Sequence, residues 1–180
     1  MRNQPTYNRF PKIPIGRRAA AFVIDFVTIS IISWLFRGNS VGISLAQLLV
    51  FILAWVGLRI FLVVQNQGQS LGRWALDMKV VDARLGKTPG LVELYKREGV
   101  VGFGALLAVI GLSIGVAHSL SLLLLITPLA ADCGAALADA TSQQALHDRW
   151  AETIVVATRR GFSLDLRIKK LLAQASRRMK

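Results

Sequence analysis

Cysteine is almost missing from this 180-residue chain. Cys133 stands alone, so no disulfide or metal framework can be drawn. Acids are scarce too, with 10 Asp and Glu against 22 Lys and Arg, for a formal charge of +12. No phosphate-cradling loop, metal-ligand cluster or nucleophile–base pair stands out, so nothing supports an enzyme or a bound cofactor. No Ala-x-Ala site follows the first apolar block and a carboxylate interrupts it, which argues against a cleaved signal peptide. The positive excess sits in the two tails. That placement fits membrane orientation and anionic lipid headgroups better than nucleic acid.

What is present is apolar residue in blocks. The hydrophobic fraction is 53% and the mean hydropathy +0.49. Massing of this kind, rather than helical or strand periodicity, predicts an integral membrane protein. The expected fold is an all-α polytopic membrane protein: about four transmembrane helices as two hairpins, short cytoplasmic interfacial helices and a small β-ribbon. Residues 1–18 form a basic arm carrying Arg2, Arg9, Lys12, Arg17 and Arg18, kept extended by Pro5, Pro11 and Pro14. Residues 19–158 form the transmembrane domain, and 159–180 a basic tail. Positive-inside reasoning places both ends in the cytoplasm.

The first span, about 19–36, holds Asp25, and the second, about 43–64, holds Arg59; residues 37–40 leave room only for a turn. An ionised aspartate within a span costs about 2.5–3.5 kcal/mol on insertion scales, so it needs a partner, a proton or water. At 1.5 Å per residue, Asp25 lies roughly 9 Å and Arg59 roughly 7–8 Å from the cytoplasmic ends of their helices. Antiparallel neighbours therefore bring opposite charges to one depth, and the pair is expected to meet, with Arg18 a second candidate partner for Asp25. A structural ion pair, a cation or proton site and a snorkelling Arg59 all remain open.

Residues 65–98 read as polar and cytoplasmic. Ser70 can cap a short interfacial helix with Leu71, Trp74 and Ala75 on one side beside Arg73. A strand is expected over 79–83, a turn over 86–90, and an amphipathic helix over 91–98. Residues 99–138 suffice for two spans if the chain turns near 113–119 around His118, with Gly111 and Gly115 as a small-xxx-small pair. Pro128 would kink the fourth span, and Asp132 would sit inside it. Residues 69–75 with Val80-Val81 echo residues 144–151 with Val155-Val156, at an offset of 75 with one residue inserted before Arg-Trp-Ala. The strands 79–83 and 153–158 are candidates for a ribbon. Asp148 is expected to clamp the second interfacial helix by pairing with Arg149 or Arg18; His147-Asp148 as a proton relay is the alternative. Trp34 and Trp55 read as packing or anchor residues. The tail is either a lipid-associated helix or disordered.

These residues resemble the RDD family of bacterial membrane proteins, named for one arginine and two aspartates. Arg18 matches the arginine, Asp25 the first aspartate, and Asp148 the second, within Leu146-His147-Asp148-Arg149-Trp150-Ala151. Gly68-Gln69-Ser70-Leu71-Gly72, Val80-Val81-Asp82 and Arg97-Glu98 also match. Glu152 departs from the family, where many relatives carry glycine. The resemblance implies little about activity: transport of unidentified ligands has been proposed for the family, and some members are linked to sodium–proton exchange.

Two functions in a bacterial inner, or other internal, membrane are therefore weighed, and the resemblance tips the balance to the first, with the second as the alternative. One is a small secondary transporter, a homodimer exchanging a monovalent cation for protons through Asp25, tuned by Arg59, with Asp132 or Asp148 completing the path. The other is a non-transporting accessory or assembly factor for a larger membrane complex. A transporter needs Asp25 hydrated and titrating; a scaffold needs it dry and paired.

Overall fold

The first helix, α1 (Ile15–Trp34), begins directly after Pro14, whose fixed φ suits a helix entry. The computed structural model describes residues 13–38, 42–114, 119–138 and 144–158, with Ser163, Leu164, Leu166, Arg167 and Gln174 beyond them. The arm before Ile13, the turn at 39–41, Gly115, His118 and most of the tail lie outside the described residues.

The second helix, α2 (Leu45–Gln65), starts at Ser44, whose hydroxyl accepts from the Gln47 N–H at 3.1 Å and donates to the Phe36 carbonyl at 3.1 Å. One residue thus caps α2 and closes the hairpin onto the end of α1. Within α2, residues Gly57–Phe61 form a π-turn. The wider turn buries two successive side chains, Arg59 and Ile60, and leaves Phe61 exposed.

After α2 come a short helix α3 (Leu71–Ala75), strand β1 (Met78–Asp82), α4 (Leu91–Ile114), α5 (Ser119–Ala138), a second short helix α6 (Leu146–Trp150) and β2 (Thr153–Ala157). The strands pair antiparallel, with Met78 opposite Ala157 and Asp82 opposite Thr153. The expected ribbon therefore forms, and it ties the two halves of the chain together.

Among the described residues three helices are long and apolar enough to cross a membrane: Leu45–Gln65, Leu91–Ile114 and Leu120–Ala138. Helix α1 is not among them. From Ala19 to its end at Trp34 it offers roughly 24 Å of rise, short of a hydrocarbon core of about 30 Å. The separate helix expected over 91–98 does not exist. Those residues are the first turns of α4, so Arg97 and Glu98 are part of a long helix and are buried rather than on a separate polar helix. The core is built by α1, α2 and α4 through Ile29, Phe51, Trp55, Val101, Ala105 and Val109. On α4, Gly111 lies against Leu122 and Leu125 of α5, which brings these two helices close.

The echo between halves is tighter than expected. Both short helices and both strands begin 75 residues apart, so no residue is inserted between them. The Arg-Trp-Ala triplets are what slip, by one position. In structural register Arg73 matches Asp148, and Asp77 matches Glu152, each of the last two at φ 51°. The turn before β2 thus forms with Glu152 in the left-handed region, as the turn before β1 does with Asp77.

Candidate functional site

The expected meeting of Asp25 and Arg59 occurs, at 2.6 Å between Asp25 Oδ2 and Arg59 Nη1. Both side chains are 3% exposed. The carboxylate is further held by the Ser70 hydroxyl, donating to Oδ2 at 2.6 Å, and by the Gly72 N–H, donating to Oδ1 at 2.7 Å. Asp25 is thus the anchor that docks α3 against α1. The approach is so close that a Cβ on Gly72 would stand 2.0 Å from the Ala21 carbonyl oxygen. Only glycine fits there. Ser70 is the N-cap of α3, as expected, but its hydroxyl hydrogen is spent on Asp25. Arg73 does not lie beside Trp74 at a headgroup face. Trp74 is exposed, while Arg73 turns inward.

Its partner is Glu98, which the sequence did not single out as a site residue. Glu98 accepts from Arg73 Nη2 at 2.7 Å and from Arg59 Nε at 2.8 Å, and is fully buried. One glutamate on α4 thereby links an arginine of α2 to an arginine of α3. Trp55 completes this part of the site. Its indole Nε1 donates to the Glu98 carbonyl oxygen at 3.1 Å, and its ring lies 5.1 Å from the Arg59 guanidinium carbon, with Phe22 on another side at 5.7 Å. Trp55 packs in the core, as expected, and is also a cation–π partner of the buried charge.

Arg18 does not go to Asp25. It forms a hydrogen-bonded ion pair with Asp148 on α6, and Arg97 Nη2 approaches the other Asp148 oxygen at 3.0 Å. Of the two partners expected for Asp148, the structure gives it Arg18; the second is Arg97, not Arg149. The arginine of α1 and the arginine of α4 are therefore joined through the second short helix. Burial by itself would raise the Asp148 carboxyl. Arg97, His147 and Arg18 outweigh it and hold the group well below the usual carboxylate range. Arg73 is pushed down to about 9 by burial and by the neighbouring charges of Arg97 and Arg59.

Asp132, on α5, stands apart from the arginines just described. Its Oδ1 accepts the His147 N–H at 2.9 Å, and its Oδ2 meets His147 Nδ1. The other ring nitrogen, Nε2, is 3.4 Å from Asp148 Oδ1, so His147 lies between two carboxylates. In the 75-residue register His147 corresponds to Gly72. In each half an aspartate from a long helix takes the same backbone N–H of the short one: Asp25 in the first, Asp132 in the second.

All six expected site residues, Arg18, Asp25, Arg59, Asp132, His147 and Asp148, thus lie around the two short helices. The structure adds Arg73, Arg97, Glu98, Trp55, Ser70 and Gly72. The readable hint was Arg97-Glu98, charged residues beside an uncharged stretch. Their depth was hidden because the start of α4 could not be told from a separate polar helix. Among the described residues no group of His, Cys, Asp and Glu is arranged to hold a metal ion. No curated protein and no solved structure matches the chain. The profile of the RDD family matches residues 13–152.

Proposed function

The chain belongs to the RDD family, and from that premise we propose a non-transporting accessory or assembly factor in a bacterial inner membrane. In this reading α1 enters the bilayer as a fourth, short span, and both termini lie in the cytoplasm. The basic residues Arg17 and Arg18 at its start fit that orientation. The observation that carries the reading is the state of Asp25. The carboxylate is buried and taken by a guanidinium, a hydroxyl and a backbone N–H. A cation arriving there would displace all three, and undocking α3 would be part of every cycle. A register-setting ion cluster asks for the opposite, a dry and saturated carboxylate. Helix α5 supports the same reading, since only 11% of its span is buried, leaving a long apolar face for lipid or a larger complex.

The competing reading is cation–proton exchange, most simply in a homodimer. What favours it is His147 between Asp132 and Asp148, a chain of titratable groups with a proton-carrying member. The test is proton flux in liposomes holding the purified protein and an entrapped pH dye, challenged with sodium, potassium or lithium. The accessory reading expects no cation-driven pH change from well-folded protein. It is overturned if such a change occurs and disappears in a folded Asp25→Asn variant.

A further inference from the structure

Beside the ion network lies a cavity of about 160 Å³ that neither reading uses. Its inner wall carries Arg18, Arg59, Arg73 and Arg97, and its rim is apolar, with Val23 of α1 and Cys133 of α5. Both of these lining residues are exposed, so the cavity reaches the surface beside α1 and α5, while Met78, His147 and Val155 line its other side. With these helices in a bilayer, that opening faces hydrocarbon. Arg73 and Arg97 are 4% and 3% exposed. Among the described residues no hydrogen-bond partner meets Arg73 Nη1, Arg97 Nε or Arg97 Nη1. A buried donor left unmatched costs about 1–3 kcal/mol, and more on a charged group.

The carboxylates nearby are already committed. Asp25 accepts from Arg59, Ser70 and Gly72. Glu98 accepts from Arg59 and Arg73, with Arg97 Nε a further 3.8 Å from Glu98 Oε1. Asp148 takes Arg18 on Oδ2, and its Oδ1 has Arg97 Nη2 at 3.0 Å but no formed hydrogen bond. Burial first, and then like-charge crowding by Arg97 and Arg59, hold Arg73 down at about 9. An incoming anion would relieve that crowding, whereas a cation would add to it. Guanidinium forks match the planar spacing of carboxylate and phosphate oxygens. A water occupies about 30 Å³ in the liquid, so the cavity suits a headgroup and not a long chain. The chain, if there is one, must leave through the apolar rim.

We propose that this cavity binds the oxyanion headgroup of an amphiphile, a phosphate or carboxylate on a hydrocarbon chain. The headgroup sits on Arg73 and Arg97, and the chain leaves between α1 and α5. The inference rests on α1 lying in the bilayer, as in the reading above, and not on whether the protein exchanges ions or serves a complex.

The test is native mass spectrometry of the full chain in neutral detergent. It is titrated separately with phosphatidylglycerol, a long-chain fatty acid, inorganic phosphate and phosphatidylcholine. The expected result is one phosphatidylglycerol or one fatty acid retained per chain, with the better of the two naming the source. Phosphatidylcholine and free phosphate should not be retained. Arg73→Gln, which keeps a donor for Glu98, should weaken retention about tenfold by removing the charged fork. Ala19→Phe, at the exposed rim, leaves every arginine in place and should also weaken it. Circular dichroism checks that each variant is folded, and if Arg73→Gln is not, Ala19→Phe decides. The proposal is overturned if no adduct forms or if free phosphate binds as tightly as the amphiphiles. It is equally overturned if several lipids bind per chain and folded variants hold them as well, since that is binding by the basic tails.

Discussion

Replacing Glu98 by glutamine is the sharpest probe of the buried network. Glu98 is fully buried and answers two arginines at once, Arg59 Nε at 2.8 Å and Arg73 Nη2 at 2.7 Å. Glutamine keeps the shape but turns one carboxylate oxygen into an amino group. One arginine then faces a donor; Arg73 loses its carboxylate, while Arg59 keeps only Asp25. Hydrogen bonds to charged groups contribute about 1.5–3 kcal/mol each. Breaking a buried ion pair costs about 3–5 kcal/mol, because the remaining charge stays buried and uncompensated. The two figures agree when one bond is lost and the other weakened, so Glu98→Gln should lower the unfolding free energy by about 3–5 kcal/mol. The matched control is Glu152→Gln. The Arg84–Glu152 pair is also an ion pair, but its side chains are 72% and 48% exposed, so the change should cost about 0–1 kcal/mol. Reversible unfolding of the full chain in mixed micelles, followed by tryptophan fluorescence, suits the question, since Trp55 is bonded to the Glu98 backbone. If Glu98→Gln costs no more than Glu152→Gln, the reasoning fails: water must then reach the carboxylate.

Two further changes address the docking of the short helices. Gly72→Ala places a methyl carbon 2.0 Å from the Ala21 carbonyl oxygen. It should cost at least about 1–3 kcal/mol from overpacking. Gly99→Ala, where nothing lies within 4 Å, should be neutral or stabilising. Equal effects of the two in the same unfolding assay would remove close packing as the reason for Gly72. Asp148→Asn tests the charge on α6. With its folded pKa held below the ordinary range, Asp148 stabilises the fold fully above its unfolded value of about 3.9. That stability is lost as pH falls through the folded value. The variant should therefore be less stable than wild type at pH 7, with the gap narrowing below about pH 4. A gap that stays constant down to pH 3 would mean that Asp148 is not held as an anion.

Much of this site is legible from residue spacing because charge inside an apolar run is expensive. Asp25 and Arg59 announce each other by depth alone, and their contact follows from two antiparallel helices of known rise. The ribbon is legible from the repeat of Val-Val at a spacing of 75. What is not legible depends on where helices begin and how they wind. Arg97 and Glu98 look like the end of a polar segment, and only the continuity of α4 makes them buried. The π-turn that aims Arg59 inward has no residue signature in Gly57–Phe61. Gly72 resembles any helical glycine until Ala21 is placed against it. The count of spans stayed open for a related reason. The charges that make α1 interesting are the ones that make it too short to be recognised as a span.

The network also imposes an order on biosynthesis. Arg18 and Arg97 emerge early in the chain, but the carboxylate they share, Asp148, is made only after α5. The partner strand of β1 comes later still. Until then these arginines have to be tolerated by headgroups, water or a chaperone. A chain that stalls before α6 leaves both without Asp148 near the membrane surface. Such a fragment carries its own mark of incompleteness, two arginines without the carboxylate that joins them in the finished protein.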